Sequence, residues 1–197
     1  MYQPSLYHEP WMQTFRGKKF SILRPAAEMI DIEDIAHALS NQCRFNGHVS
    51  DFYSVAQHSV LCSYSVPQED EFSALMHDSP EAYIGDLTRP LKHSGLLNSY
   101  MDIEDVIWDV IASKYGMNPK LSSWVKLADA RALLTEQRDL MGKQVEPWED
   151  KAEPFEERII PLPPKEAKRQ FLERFEVLSS SRKGTLDAYV PRAAIAA

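Results

Sequence analysis

ALMHDSPEAYIGD, residues 74–86, ends an apolar helical run on an adjacent histidine and aspartate, His77 and Asp78. Ser79 and Pro80 follow at once, and proline is tolerated at the first position of a new helix, so the chain breaks and restarts here. Working outward, His58 lies upstream in YSVAQHSVL (53–61) and Asp129 downstream in VKLADARALL (125–134). All four groups sit in apolar, helix-like surroundings, where an ionisable side chain costs free energy unless a charge or a metal answers it. Two imidazoles and two carboxylates suit a borderline-hard divalent cation and leave room for water beside the protein donors. The expected chemistry is a water activated by that ion.

Each residue also has a blander reading. A single histidine on an apolar helix is usually a hydrogen-bonded core residue. Asp129 could pair with Arg131 or Lys126, although neighbours at those spacings do not share its helix face. Adjacent helical residues diverge by about 100°, so His77 and Asp78 straddle one cation only near a helix end, which the Ser79-Pro80 break supplies.

Around these segments the chain reads as helices. DIEDIAHALSN opens on Asp31 as N-cap, with Glu33 and Asp34 in the first turn and Ile32, Ile35, Ala36 and Leu39 on one face. Asn46-Gly47 marks a turn, Ser54 caps a helix holding His58, and Pro67 stops it. A third helix runs from about Glu69 to the His-Asp pair, with a short EAYIGD turn ended by Gly85. LTRPLKHSG reads as a loop. YMDIEDVIWDVIASKYG turns Ile103, Val106, Ile107, Val110 and Ile111 inward, and a long helix then carries Asp129. Trp108 and Trp124 stand at core spacing. After a proline-punctuated acidic stretch, KEAKRQFLERFEVLS forms a last helix. With no convincing pair of alternating strands, the expected fold is all-α, a single helical bundle with its metal site between facing helices. Residues 1–30 are expected as an irregular segment packed on a domain of residues 31–178, and residues 179–197 as a tail.

The bulk numbers bound the rest. At 197 residues and 44% hydrophobic content the chain suits one well-cored domain. It shows neither a secretory leader nor an apolar run of membrane-spanning length, so a cytoplasmic protein without a membrane partner is expected. Cys43 and Cys62 share no CxxC spacing and read as buried thiols. A net charge of −7 argues against a nucleic-acid polymer as partner, because counterion release needs a basic stripe.

In chain order the four residues read H...HD...D, and with HDSPEAYIGDLTRPLK and CRFNGHVSDFYSVAQHSVL the segment from about Ile32 to Leu134 resembles the HD-domain metal-dependent phosphohydrolases. It is most similar to the HD-domain 5'-deoxynucleotidases and the compact phage dATP triphosphohydrolases. The resemblance implies that His58, His77, Asp78 and Asp129 bind a divalent metal ion, which could be manganese, cobalt, magnesium, iron or zinc. It implies that Glu81 handles protons near the attacking water, that Asp86 is a second acid at the catalytic centre, and that Arg44 grips a substrate phosphate. Phe45 stands where a related enzyme has tryptophan, beside sugar or base.

Elementary chemistry fits those roles. A phosphate ester repels hydroxide, so its hydrolysis needs cations on the nonbridging oxygens, and Arg44 offers a planar fork and Lys92 a mobile point charge. For Arg89 and Lys92 a solvated loop charge is the competing reading. His37, His48 and His93 read as solvent-facing or as lying behind the ligands.

The expected activity is hydrolysis of phosphate from a small 2'-deoxynucleotide, with a lean toward deoxyadenylates such as dATP, in a homo-oligomer, a dimer or a larger ring such as a hexamer. The rivals are hydrolysis of another phosphoester, such as a cyclic dinucleotide or a stringent-response nucleotide, a noncatalytic nucleotide sensor, and a purely structural metal cluster.

Overall fold

The computed structural model describes residues 9–148 and 152–188. Its helices are α1 (Ile32–Asn41), α2 (Val55–Ser63), α3 (Glu71–Met76), α4 (Glu81–Ile84), α5 (Arg89–Lys92), α6 (Asn98–Lys114), α7 (Ser123–Leu140) and α8 (Pro164–Ala188). The fold is mostly helical, as the periodicity predicts.

Local chemistry sets the helix starts. The Asp31 carboxylate accepts from the Glu33 backbone N–H at 2.9 Å at the head of α1. Ser54 Oγ accepts from Gln57 N at 3.2 Å at the head of α2, and Ser122 Oγ from Val125 N at 3.3 Å at the head of α7. Each cap satisfies one of the donors that a helix leaves unpaired in its first turn. Gly85, at φ 90°, ends α4 in a backbone region that residues with a Cβ seldom enter.

Four features depart from the sequence reading. Trp11–Gln13 (β1) and Lys19–Ser21 (β2) pair as an antiparallel hairpin, with Met12 opposite Phe20, where an irregular segment is expected. Strands of three residues are too short for an alternating pattern to register, yet Phe20 is fully buried and stacks on Tyr83 at 3.9 Å, which fastens the hairpin to the helices. Arg89–Lys92 makes a turn of helix where a loop is expected, because Pro90 falls in its first turn, where no backbone N–H is needed. Val106 and Trp124 are about half exposed, at 48% and 53%, and so lie outside the core assigned to them. Trp108 is buried, its indole N–H donating to the Pro119 carbonyl at 2.7 Å. Finally, α8 continues to Ala188, past the break expected near Ser180, and the rest of the expected tail lies outside the described residues.

The main core joins Phe20, Ile30, Ile35, Leu39, Leu75, Met76, Ile107, Ile111 and Phe171, all fully buried. Packed against α1, α3, α7 and α8, helix α2 is the centre of the bundle. A helix surrounded on every side has no polar face to offer, and α2 buries Val55, Ala56, His58, Ser59, Val60, Cys62 and Ser63. A smaller apolar cluster of Cys62, Ala74, Val125, Ala128, Ala132 and Phe155 fills the space between α2, α3 and α7. Among the described residues no helix is long and apolar enough to cross a membrane.

Phe171→Ala removes an aromatic ring from the centre of this core and is expected to cost about 3–5 kcal/mol in urea unfolding. Trp124→Ala, on the outer face of α7, is expected to stay within about 0.5 kcal/mol of the parent. Equal losses in the two variants would contradict this placement of the core.

Candidate metal centre

Three places in the bundle deliver the four sequence-selected side chains to one point. The core helix α2 supplies His58, the break between α3 and α4 supplies His77 and Asp78, and α7 supplies Asp129. His58 Nε2 lies 3.4 Å from His77 Nε2, 3.4 Å from Asp78 Oδ2 and 3.3 Å from Asp129 Oδ1. His77 Nε2 lies 3.2 Å from Asp78 Oδ1. Nitrogen and oxygen donors that share a four-coordinate cation at bond lengths of about 2.1 Å stand roughly 3.4 Å apart, so these separations fit a common ion.

The imidazoles are also turned the right way. His58 Nδ1 is 2.6 Å from Glu136 Oε1, and His77 Nδ1 is 2.8 Å from the Ala74 carbonyl oxygen. An acceptor at each Nδ1 favours a proton there, so in the neutral ring it is Nε2 that carries the lone pair a metal ion would take. Two lone pairs and two carboxylates facing one another repel unless a positive charge stands among them. Sulfur joins the same group: His58, Cys62 and His77 place their donor atoms within 4.8 Å of one another, a set able to hold a metal ion.

Titration of the cage tells the same story. Burial opposes charging of His58, as does Arg44, but Cys62, Glu136 and Asp129 outweigh both and push its imidazole well above the usual range. Burial acts to raise Asp129, yet its hydrogen bond to His58 and the field of His58, His77 and Arg44 bring it far below an ordinary carboxylate. Asp78 is lowered in the same way, against its burial, by His77, His58 and Arg44. Such a cage favours a positive charge at its centre, whether proton or metal.

Arg44 is almost fully buried behind the cage. Its Nε and Nη2 donate to Glu136 Oε2 at 3.3 and 3.1 Å, while Nη1 lies 3.8 Å from Asp78 and 4.0 Å from Asp86. Glu136 therefore grips His58 with one oxygen and Arg44 with the other, and it has no exposed surface. Sequence reasoning missed it, although it follows Asp129 by seven residues on α7, two turns along the same face. Gln42 was missed as well. Its side chain donates to the Glu81 carbonyl at 3.0 Å and accepts from Asp86 N at 2.9 Å, tying the start of the 86–92 segment to α1.

Glu81 and Asp86 stand beside the cage as two further acids. Burial raises Glu81 well above the carboxylate range, reinforced by Asp78 and Asp86, and its Oε2 is buried with no hydrogen-bond partner. Burial also raises Asp86. Lys92 is held by Glu81 at 2.8 Å and by Glu104 at 2.9 Å. It is thus engaged by two carboxylates, where the sequence offers it as a mobile point charge for phosphate. Arg89 Nη2 lies 3.5 Å from Asp129 Oδ2. Phe45 follows Arg44 in a 3-10 turn with both Phe45 and Asn46 at positive φ, and its ring lies 6.1 Å from that of Trp148. His37 stacks on Phe15 at 3.7 Å, away from the cage.

No protein-family model matches the sequence. The helical bundle with a metal-competent His/Cys/His group defines the class as far as structure alone does. The chain is 48% identical over 176 residues to the uncharacterized protein YfdR of Escherichia coli K12, spanning 88% of this chain and 98% of that one. It is 31% identical over 127 residues to the uncharacterized protein RCAP_rcc00048 of Rhodobacter capsulatus, spanning 60% of this chain and 64% of that one. The chain belongs to the family of YfdR.

Two outcomes follow from this geometry. Glu136→Gln leaves the cage ligands in place but takes the charge from their support, and calorimetric titration with zinc is expected to show affinity reduced roughly 10–100-fold. In metal-free protein the charged form of His58 stabilises the fold. That contribution is complete below about pH 6.5, the ordinary imidazole value, and is lost as pH rises through the elevated one. The melting temperature of chelator-treated protein should therefore fall as pH is raised beyond 6.5, and a profile unchanged by His58→Gln would contradict the assignment.

Proposed function

We propose that this chain is a metal-dependent phosphohydrolase of the HD type that removes phosphate from small 2'-deoxynucleotides. The observation that carries the reading is the convergence of His58, His77, Asp78 and Asp129, with both Nε2 atoms facing two carboxylates. These residues would hold a divalent cation, which supplies Lewis acidity toward a phosphoryl oxygen and lowers the pKa of water.

The chain's own groups divide the remaining work. Arg44 is oriented by Glu136 through Nε and Nη2, and its Nη1 stands beyond hydrogen-bonding distance of Asp78 and Asp86, so this donor is available to a phosphoryl oxygen. The unpartnered Oε2 of Glu81 offers a place for a proton leaving water or reaching a leaving group, and the raised proton affinity of that carboxyl suits both tasks. Lys92 sets the position of the Glu81 side chain through Oε1. Phe45 and Trp148 give a pair of ring faces beside Arg44, suited to a sugar or base, and deoxyadenylates, dATP among them, are the preferred substrates in this reading.

A panel of deoxynucleoside mono- and triphosphates, incubated with manganese- or cobalt-loaded protein, tests the reading directly. Release of phosphate or triphosphate from at least one member is expected, and Asp129→Ala should abolish it while the circular dichroism spectrum is retained. Glu81→Gln is expected to lower kcat by about 10²–10⁴-fold. No product from any member, or full activity in Asp129→Ala, would overturn the proposal.

A further inference from the structure

Cys62 lies one helical turn beyond His58 on α2, a spacing that sets two side chains on the same face. Its sulfur is 3.6 Å from His58 Nε2, the ring nitrogen that faces His77, Asp78 and Asp129, and not from Nδ1, which Glu136 holds. One ring nitrogen from each of His58 and His77 and the Cys62 sulfur fall within 4.8 Å of one another. A nitrogen and a thiolate sulfur bound to one cation, at about 2.1 and 2.3 Å, stand roughly 3.1–3.6 Å apart for bond angles from 90° to tetrahedral, and Cys62 would be a fifth protein donor beside the four of the cage.

Packing is the competing account. Cys62 is fully buried among Ala74, Val125, Ala128, Ala132 and Phe155, and unpaired cysteine is a common core residue. Packing explains why the residue is inside. Packing alone sets no condition on where the sulfur points, and here Sγ lies 3.6 Å from the His58 nitrogen that faces the cage.

We propose that Cys62 is a soft ligand of the metal centre and biases it toward thiophilic ions such as zinc, cobalt(II) or cadmium over magnesium and manganese. The inference rests on the metal-centre reading above and adds a sulfur bond to it, the S–H bond breaking and its proton passing to solvent as the ion binds. Thiolate prefers softer cations, whereas carboxylate and imidazole alone leave the choice open.

Cobalt(II) reports the bond without reference to turnover, because a thiolate ligand adds a charge-transfer band in the near ultraviolet that nitrogen and oxygen ligands do not. The full chain, stripped of metal with a chelator and titrated with cobalt(II), is expected to show that band at one equivalent. With two cysteines in the chain the assignment is direct: Cys43→Ser keeps the band and Cys62→Ser loses it. Cadmium affinity should fall at least roughly tenfold in Cys62→Ser, with manganese affinity unchanged. Stoichiometric cobalt binding by the parent chain without the band overturns the sulfur ligand and leaves the metal centre standing, whatever the fate of the variants. Failure of the parent to bind any cobalt overturns both.

Discussion

A carboxylate without solvent, that of Glu136, is the constraint on which the rest of the site depends. An ion buried to this degree is tolerated only when its hydrogen-bonding capacity is filled, and here His58 Nδ1 takes one oxygen and the Arg44 guanidinium the other. Filling that demand fixes two things together. The His58 ring must turn Nε2 toward His77, and Arg44 must thread inward from its turn until Nη1 stands near Asp78 and Asp86. The orientation of the donor cage is thus set by a residue that contributes no atom to it.

This constraint also accounts for the placement of α2. A histidine gripped from α7 and facing the α3–α4 break cannot sit on an outer helix, and α2 is covered by α1, α3, α7 and α8. Small side chains make that possible: Ala56, Ser59 and Ser63 are buried on α2, and the serine hydroxyls donate back to the Val55 and Val60 carbonyls. Ser63 in turn receives Arg174 from α8 at 3.1 Å, which locks the last helix against the central one.

How much of this was legible in the sequence depends on whether a residue's partner could be inferred from its own segment. Caps and helices were legible because Asp31 and Ser54 act within their own first turn. The four cage residues were legible because ionisable groups in apolar helices need an answer from somewhere, and the fold brings all four to one point. Glu136 was not, since TEQRD reads as the polar end of a helix and only the contact between α7 and α2 shows it to be buried. The partners of Lys92 were hidden for a related reason. Its partner Glu104 lies on α6, beyond any local pattern, and the pair of carboxylates that holds Lys92 appears only once α4 and α6 are side by side. Val106 and Trp124 mark the opposite error, apolar residues assigned inward by periodicity on helices whose covered face is narrower than their apolar one.

Charge around the cage links its two kinds of acid. Asp78, Asp86, Asp129, Glu81, Glu104 and Glu136 gather against Arg44, Lys92 and Arg89, so the carboxylates outnumber the cations that meet them. Two remedies are open to such a cluster, to take up protons or to take up a metal ion. Glu81 and Asp86 are the carboxyls pushed toward the protonated form, while Asp78 and Asp129 are held ionised by the histidines and Arg44. The cluster therefore separates into members whose charge is favoured and members whose proton affinity is raised. A divalent cation between Asp78 and Asp129 would cancel part of the field that Asp78 exerts on Glu81, and the Glu81 proton would become easier to release. In that arrangement the ion would lower the proton affinity of Glu81 through Asp78, so the acidity of Glu81 and the charge of the cage would be coupled.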